Sequence, residues 1–406
     1  MKLVSLLFIV CAGAASAQPL LTLREAVDTA LRTHPLLAAG DARMVAAAGY
    51  SLQAALRPNP RVVIQSENWR AWGTPGFTPA RDSDLYAYVI APIETAGKRG
   101  RRMDLAGAAA NRTGLERQVL ARQIALRVRQ AYWNAAGAWK VHQLLLATTH
   151  NFQQLVDYNE LRVRLGAMAE ADLLKVQLER ERMEVSARTA ALDAERGRIQ
   201  LFREMGQAEY HAVSLEEFPS DLDGRAFPAP AERPELKLAA AVVEQARANL
   251  RLQHSLAKPD VDIVSGYKRT AGFNTYMGGV QITLPVRNRN QGSIAAAEAE
   301  VRAAEAELAA VKASIQAEIR TAEADVRERR DQLQRLFGDD AGSGIRGKAG
   351  ESSRIALAAY REGGFDLLRL LDAERVRIEM QVLYYKTLTD YRISVAALEA
   401  ALGVNP

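Results

Sequence analysis

The sequence predicts a mainly α-helical fold with a minor β component, in which one unit occurs twice. In both halves an apolar alternating stretch, a turn and a second apolar stretch precede two long helical segments joined by a glycine turn. The separation between Gly166 and Gly206 equals the separation between Gly363 and Gly403. These glycine turns therefore define how the two halves align. A repeat of about 200 residues is too long for a solenoid unit, so we infer a duplication. The predicted parts are a first repeat over 18–206, a connector over 207–233 and a second repeat over 234–406.

The N-terminus carries the pattern of a secretory signal peptide over residues 1–17. Lys2 precedes the apolar run Leu3–Ala12, and Ala15-Ser16-Ala17 provides a small-residue cleavage site. The only cysteine, Cys11, lies inside this segment. The exported chain is therefore predicted to contain no disulfide and no cysteine metal ligand. After residue 17 no apolar run reaches the roughly 18 to 20 residues of a transmembrane helix.

The first helix is predicted from Leu23 to about Leu56. Thr22 is its N-cap, and Glu25, three residues later, completes a capping box. The connector over 207–233 is rich in proline, and such composition predicts loops.

Four segments have the length and alternation of short strands, and each carries a tyrosine or tryptophan. Strands of about 9 to 11 residues are typical of tilted outer-membrane strands. Four strands cannot close a barrel, but several copies donating four each could do so and remove every free edge. Two small water-soluble hairpins remain the alternative. The strands are expected near 61–69, 84–92, 260–268 and 276–285, and the Gly/Pro-rich segment 70–79 is expected to be an exposed loop.

Two segments without proline predict unusually long helices, from Gly97 to about Arg164 and from Gln291 to about Glu362. Roughly 70 residues at 1.5 Å rise would reach about 100 Å, more than a globular core requires. Heptad stripes predict coiled-coil packing, and we interpret them as core. The stripes are Ile294, Val301, Leu308 and Ile315, and on the returning helix of the first hairpin Leu178, Val185, Leu192 and Ile199. Five glycines within 337–350 predict a break in the second long helix.

The sequence offers no candidate for catalysis, cofactor binding or metal binding. The five histidines are scattered. His142 and His150 fall on roughly the same helix face but have no third ligand. No nucleophile elbow or phosphate-binding glycine loop is present. Acidic and basic residues are interspersed along the helices, which indicates solvated faces and no nucleic-acid partner.

Taken together, the signal peptide, the two units and the segments that follow each strand pair resemble the TolC family of outer-membrane efflux proteins. These segments are Pro92–Arg99 and Pro285–Gly292. The run Glu94–Arg99 is most similar to the branch that serves heavy-metal and cation pumps. The resemblance implies a homotrimer whose twelve strands form one barrel in outer-membrane lipid, continuous with a periplasmic helical tunnel. It also implies a periplasmic adaptor and an inner-membrane pump of the RND type as partners.

In this family the turns between paired helices form the periplasmic tip, where the adaptor docks and the entrance closes. The resemblance places the tip at Leu165, Gly166 and Ala167 and at Glu362, Gly363 and Gly364. It further implies a polar network that holds the closed state, matched by Asp172 and Tyr360, and a ring of acids matched by Asp372.

Two residues depart from the drug-efflux prototype of the family. Phe365 stands where the prototype has an arginine, and Arg369 stands where it has a second ring aspartate. Because Arg369 and Asp372 are three residues apart on one helix, they could form an ion pair. We therefore expect a less acidic and differently latched entrance. Export of drugs or other organic compounds, and a periplasmic adaptor or coiled-coil scaffold, remain alternative functions.

Overall fold

The computed structural model describes residues 20–69, 76–210, 214–215, 227–338 and 343–404. Most of these residues are helical. The helices are α1 (Leu23–Thr33), α2 (Pro35–Ala54), α3 (Pro79–Asp82), α4 (Lys98–Arg164), α5 (Glu170–Glu204), α6 (Pro234–Leu256), α7 (Gln291–Phe337), α8 (Ile345–Arg361) and α9 (Leu367–Leu402). The strands are β1 (Leu20–Leu21), β2 (Arg61–Glu67), β3 (Asp84–Ile93), β4 (Ser214–Leu215), β5 (Val261–Thr270) and β6 (Phe273–Ile282). The predicted signal peptide, most of the connector and most of the 70–79 loop lie outside the described residues.

The chain divides into two compact units, and each unit draws on both sequence repeats. Unit 1 contains residues up to His34, Arg122–Ala229 and the chain from Arg320 onward. Unit 2 contains Pro35–Ala121 and Pro230–Ile319. The long helices α4 and α7 each contribute residues to both units.

Unit 2 is built around a four-stranded antiparallel sheet with the order β2-β3-β5-β6. All four predicted strands are therefore present and adjacent. The hairpin between β5 and β6 is tighter than expected: Ala271 and Gly272 form a two-residue turn, both with positive φ (50° and 83°). This combination is typical of a type I′ turn. Strand β6 begins at Phe273 rather than near 276 and ends at Ile282 rather than near 285.

Unit 1 packs parts of α4, α5, α8 and α9 around two apolar clusters. One cluster joins Leu145 and Phe152 of α4 to Met183 of α5 and Ile378 of α9. The other lies nearer the helical turns and is described with the site below. A short parallel pair, β1 with β4, also belongs to this unit.

The predicted first helix is divided in two, which corrects the expectation of one helix over 23–56. The capping box at Thr22 and Glu25 is confirmed, but α1 ends at Thr33 and α2 begins at Pro35. His34 has extended geometry (φ −65°, ψ 126°). A residue before proline is disfavoured in helical geometry, which explains the break.

The predicted break in the second long helix is confirmed but is shorter than the glycine run. Helix α7 ends at Phe337, Gly338 has a φ of 80°, and α8 resumes at Ile345. Gly347 and Gly350 are helical despite their low propensity. Residues 339–342 lie outside the described part.

The heptad stripe on α5 is not core, contrary to our interpretation. Leu178 and Val185 are 64% and 65% exposed, and Leu192 and Ile199 are about half exposed. On α7, by contrast, the predicted stripe is half-buried at Ile294, Val301, Leu308 and Ile315. The α5 residues do form an apolar stripe, but nothing in the described part of this chain covers it.

Candidate functional site

Helix α4 ends in the first predicted tip turn. Gly166 has a φ of 70°, and the N–H of Ala167 donates to the carbonyl of Arg162 at 2.8 Å. This is the geometry of a Schellman motif, in which a left-handed residue lets the last carbonyls find donors. Leu165, at the apex, is 73% exposed. The turn therefore presents an apolar side chain to the surroundings.

The second predicted tip turn repeats this backbone. Gly363 has a φ of 83°, and the N–H of Gly364 donates to the carbonyl of Ala359 at 2.8 Å. Glu362, Gly363 and Gly364 are all exposed. Helix α9 then begins with Asp366 as N-cap, whose carboxylate accepts from the N–H of Arg369 at 2.9 Å. The two turns have the same geometry, but one carries an apolar apex and the other an acidic residue.

Behind the turns lies a cluster that we call the turn cluster: Val156, Val176, Ala356, Tyr360, Leu367 and Leu370. It draws residues from α4, α5, α8 and α9. Within it the hydroxyl of Tyr360 donates to Oδ1 of Asn159 at 2.5 Å. Asn159 is fully buried, and its amide nitrogen donates to the carbonyl of Leu155 at 2.9 Å. A buried polar pair of this kind specifies one arrangement of helices, because leaving either partner alone is costly.

Arg162 connects the turn cluster to the first turn. Its guanidinium lies 5.2 Å from the ring centroid of Tyr360 and 5.9 Å from that of Tyr158, which is within cation–π range. Burial raises the pKa of the Tyr360 hydroxyl, although the positive charge of Arg162 works in the opposite direction. The hydroxyl is therefore protonated at neutral pH and available as a donor.

Of the residues assigned to gating by resemblance, only Tyr360 lies within the turn cluster. Asp172 pairs with Lys175 on its own helix at 2.8 Å. Its negative charge still acts on Tyr360, because it adds to the effect of burial in raising the pKa of that hydroxyl.

The anticipated pair between Arg369 and Asp372 is not formed. Asp372 instead accepts from Arg375 at 2.7 Å, and Arg369 lies over the ring of Phe365 at 5.4 Å from its centroid. Three-residue spacing also allows Asp372 to pair forward, and the adjacent ring offers Arg369 another partner. Both arginine contacts are local to α9 and its N-terminal turn.

Sequence reasoning missed Asn159 and Arg162. A signal for Asn159 was present, since it falls in the same helical stripe as Phe152 and Val156, both buried. A polar residue in an apolar stripe indicates a buried hydrogen bond. Arg162 had no comparable signal, because arginine is ordinary near a helix C-terminus.

The sheet of unit 2 has an apolar face and a polar face, as its register shows. Val62 is opposite Val89, Ile263 is opposite Val280, and Tyr267 is opposite Tyr276, and directly opposed residues share a face. Ile64 and Tyr276 on this face are 75% and 78% exposed. The face is thus mainly apolar and uncovered, with Arg269 and Asn274 as a polar pair at the end near the β5–β6 turn.

The other face carries charged and polar groups. Arg61 lies 3.6 Å from Asp262 across the intervening strand, and Lys268 lies over the ring of Tyr86 at 5.3 Å. Such a division into apolar and polar faces is what a strand needs when one side contacts lipid and the other water.

Within the described ranges no group of three or more His, Cys, Asp or Glu side chains is placed to hold a metal ion. A ring nitrogen of His142 lies 3.2 Å from the carbonyl oxygen of Ala187, and one of His150 lies 3.2 Å from the amide nitrogen of Gln154. Among the helices that are described, none has the length and apolar character needed to cross a membrane.

Comparison with known proteins supports the resemblance. Residues 229–404 match the family described as outer membrane efflux protein. The cobalt-zinc-cadmium resistance protein CzcC of Cupriavidus metallidurans is 22% identical over 394 residues, covering 94% of this chain and 90% of the relative.

Solved structures show the same fold along almost the whole chain. The outer-membrane channel OprN matches with a TM-score of 0.78 at 19% identity, covering 94% of this chain and 90% of OprN. CusC matches with a TM-score of 0.78 at 17% identity, covering 94% of this chain and 92% of CusC. Residues 229–404 thus match the outer membrane efflux protein family, and the chain as a whole has the fold of OprN and CusC.

Proposed function

We propose that this protein is the outer-membrane channel of a tripartite efflux system, a passive duct without enzymatic activity. The observation that carries the proposal is the uncovered apolar face of the sheet in a chain with the fold of such channels. In lipid this face is satisfied, whereas in water it would be a large exposed patch. The family match favours a channel over the alternative of a periplasmic adaptor.

We infer that three copies assemble around one pore. The strands alternate in direction, so β6 of one copy can pair antiparallel with β2 of the next. Three copies supply twelve strands and leave no open edge in the membrane. The polar face with Arg61, Asp262 and Lys268 then lines the water-filled interior. The helices extend into the periplasm after removal of a signal peptide over residues 1–17.

The exposed turns are the proposed docking site for a periplasmic adaptor, which links the channel to an inner-membrane RND-type pump. Leu165 offers an apolar contact and Glu362 a charged one on turns of the same backbone geometry. Asp172, Tyr360, Arg369 and Asp372 are proposed to control the entrance. Because Asp172 and Asp372 are each paired with a basic neighbour, the entrance carries less negative charge than a ring of free acids.

The proposed cargo is metal cations, on the ground that the curated relative is a cobalt-zinc-cadmium resistance protein. Deleting the gene from its native host should reduce tolerance to salts of these metals, and restoring it should recover tolerance. A loss of tolerance to organic compounds with unchanged tolerance to metals would instead identify an organic-compound exporter.

The duct itself is tested by fractionation, by the mass of the detergent-extracted species and by conductance in planar bilayers. We expect an outer-membrane trimer that conducts ions. We also expect Arg369→Asp to raise conductance and cation selectivity, and an unchanged pore would contradict the proposed entrance. A monomer in the soluble periplasmic fraction would overturn the channel and favour the scaffold.

A further inference from the structure

In unit 2 the segment between β3 and α4, Glu94–Lys98, packs on the loop before β5; we call this segment the first strap. The N–H of Thr95 donates to Oδ1 of Asp260 at 2.9 Å. Nζ of Lys98 lies 2.7 Å from that same oxygen and 2.7 Å from the carbonyl oxygen of Lys258. Lys98 is buried. The first strap therefore joins the first repeat to the loop Lys258-Pro259-Asp260 through an ionic hydrogen-bond network.

The second repeat has an equivalent segment between β6 and α7, Arg287–Gln291, which we call the second strap. Pro285 precedes Asn290 at the same separation as Pro92 precedes Gly97. Gly97 and Asn290 both have positive φ, 69° and 58°, and each directly precedes a long helix. This alignment makes Arg287, Asn288 and Gln291 the counterparts of Glu94, Thr95 and Lys98.

In each repeat the strap, or the residue directly after it, also binds the end of the helix that precedes the strands. Just after the first strap, Nε of Arg99 donates to the carbonyl of Ala55, next to the end of α2, at 2.6 Å. In the second strap, Nδ2 of Asn290 donates to the carbonyl of Gln253, in the last turn of α6, at 2.8 Å. The two donors are not equivalent residues, because Arg99 aligns with Gly292, but in both repeats the start of the long helix is hydrogen-bonded to the end of the helix that precedes the strands.

The loop that would receive the second strap lies between α2 and β2. Lys258-Pro259-Asp260 precedes β5, and Arg57-Pro58-Asn59 precedes β2 with the same order of a basic residue, a proline and Asp or Asn. Asp260 directly precedes its strand, whereas Pro60 separates Asn59 from β2. The loop before β5 is partly covered by the first strap, whereas residues 57–60 are all exposed. Arg287, Asn288 and Gln291 of the second strap are exposed as well. The chain thus has two straps and two loops. The first strap contacts the loop before β5, whereas the second strap and the loop before β2 are both left exposed.

We propose that the second strap of one copy binds the loop Arg57-Pro58-Asn59 of a second copy; this rests on the proposed trimer and names the residues of its interface. The N–H of Asn288 donates to the side-chain oxygen of Asn59, and the amide of Gln291 donates to the carbonyl of Arg57. The residue types favour a second copy as the partner. The charged residues Lys98 and Asp260 of the first strap and its loop correspond to the neutral amides Gln291 and Asn59 of the second strap and its loop. The junction inside a chain is ionic, and the junction between copies is a neutral amide contact.

Unit 1 supports the same occupant independently. The exposed stripe on α5 corresponds, at the spacing of Gly166 and Gly363, to Arg375, Val382, Thr389 and Ala396 on α9. Thr389 and Ala396 are buried, and Val382 packs on the cluster around Met183. Thr389 packs so closely on α4 that a Cβ at Gly137 would collide with its hydroxyl. The fourth counterpart, Arg375, is exposed. At three of its four positions the apolar face of α5 is therefore the counterpart of a covered face, and a second copy is the partner that would cover it.

Cysteine cross-linking tests the proposal, and residues 18–406 contain no cysteine of their own. The full protein carrying both Asn59→Cys and Asn288→Cys is oxidised in its membrane and run on non-reducing gels. We expect covalent dimers and trimers. The matched control with Thr95→Cys and Asp260→Cys should link within one chain and keep the monomer mass. Asn59→Cys and Asn288→Cys on separately tagged copies should cross-link only between the two tags.

The outcomes separate this proposal from the channel itself. A trimer by detergent mass in which Asn59→Cys and Asn288→Cys do not link, while the control pair does, overturns the interface and leaves the channel intact. A monomer by mass overturns the trimer as well.

If neither cysteine pair forms a disulfide on oxidation, charge substitutions at the same contact test the proposed interface. Asn59→Asp should weaken the trimer, and adding Gln291→Lys should restore it and make it salt-sensitive. Absence of that rescue also contradicts the interface.

Discussion

The turn cluster of unit 1 and the sheet of unit 2 use apolar residues in opposite ways. Val156, Val176 and Leu370 are buried among their own helices, whereas Ile64 and Tyr276 project from an uncovered sheet face. The first arrangement is stabilised by contacts that the chain makes with itself. In the proposed membrane-embedded trimer, the second would gain its stabilisation from lipid and from neighbouring copies. Substitutions in the two regions should therefore differ in what they disturb: folding of the chain in one, and insertion and assembly in the other.

The largest loss of stability is expected from a charged substitution on the apolar face of the sheet. Val89 lies between Val62 and Ser265 in the middle of the sheet, and Val89→Arg should cost about 2–4 kcal/mol if this face meets the bilayer centre. Tyr88→Arg, one residue away on the polar face, should insert nearly normally and change ion selectivity instead. The measurements are the yield of folded protein in the outer membrane and unfolding by denaturant from vesicles. Equal losses for both variants would contradict the assignment of faces.

The next effect tests whether the turn cluster is stabilised from within. Tyr360→Phe leaves the fully buried Oδ1 of Asn159 without its hydroxyl donor, which should cost about 1–3 kcal/mol. Tyr158→Phe is the matched control, since it keeps the ring beside Arg162. Combining Tyr360→Phe with Asn159→Leu should recover much of the loss, because no buried polar group is then left alone. Thermal unfolding in detergent measures these three variants together with Asn159→Leu alone, and an additive double variant would argue against a coupled pair.

The pair formed by Asn159 and Tyr360 shows which features of the structure can be predicted from the sequence and which cannot. The strands, the long helices and both glycine turns follow from local pattern, since alternation, absence of proline and left-handed glycine geometry are properties of short segments. The hydrogen bond between Tyr360 and Asn159 joins residues far apart in the chain, and no short-range pattern indicates which polar residues meet.

The α5 stripe shows a second limit. A heptad pattern predicts an apolar face but not whether the covering partner belongs to the same chain. Val185 and Val382 occupy equivalent positions in the two repeats, yet one is exposed and the other packs on a core cluster. In the proposed trimer this difference arises from the position of each repeat in the assembly, which a single sequence does not specify.

A smaller effect separates backbone strain from side-chain contacts at the turns. Gly363 has a φ of 83°, and a Cβ added there would have no neighbouring atom within 4 Å. At Gly364 a Cβ would lie 3.6 Å from the carbonyl oxygen of Ala359, and φ is not left-handed. Gly363→Ala should therefore cost about 1–2 kcal/mol through backbone geometry alone, and Gly364→Ala should cost far less. The melting temperatures of the two variants give the comparison. Similar melting temperatures would show that the turn relaxes to another geometry.

The smallest effect is a pH dependence that unit 1 should show through His34. Burial lowers the pKa of this imidazole below its usual 6.5, and the positive charge of Arg127 acts in the same direction. The unfolded chain then binds more protons than the folded one just below pH 6.5, so stability falls as the pH is lowered through that range. His34→Gln should flatten this part of the profile, while His150→Gln, at an exposed position, should leave it unchanged. Thermal midpoints measured between about pH 5 and 8 test this pH dependence. A wild-type midpoint that does not change in the acidic half of that range would mean that His34 becomes protonated in the folded state without loss of stability.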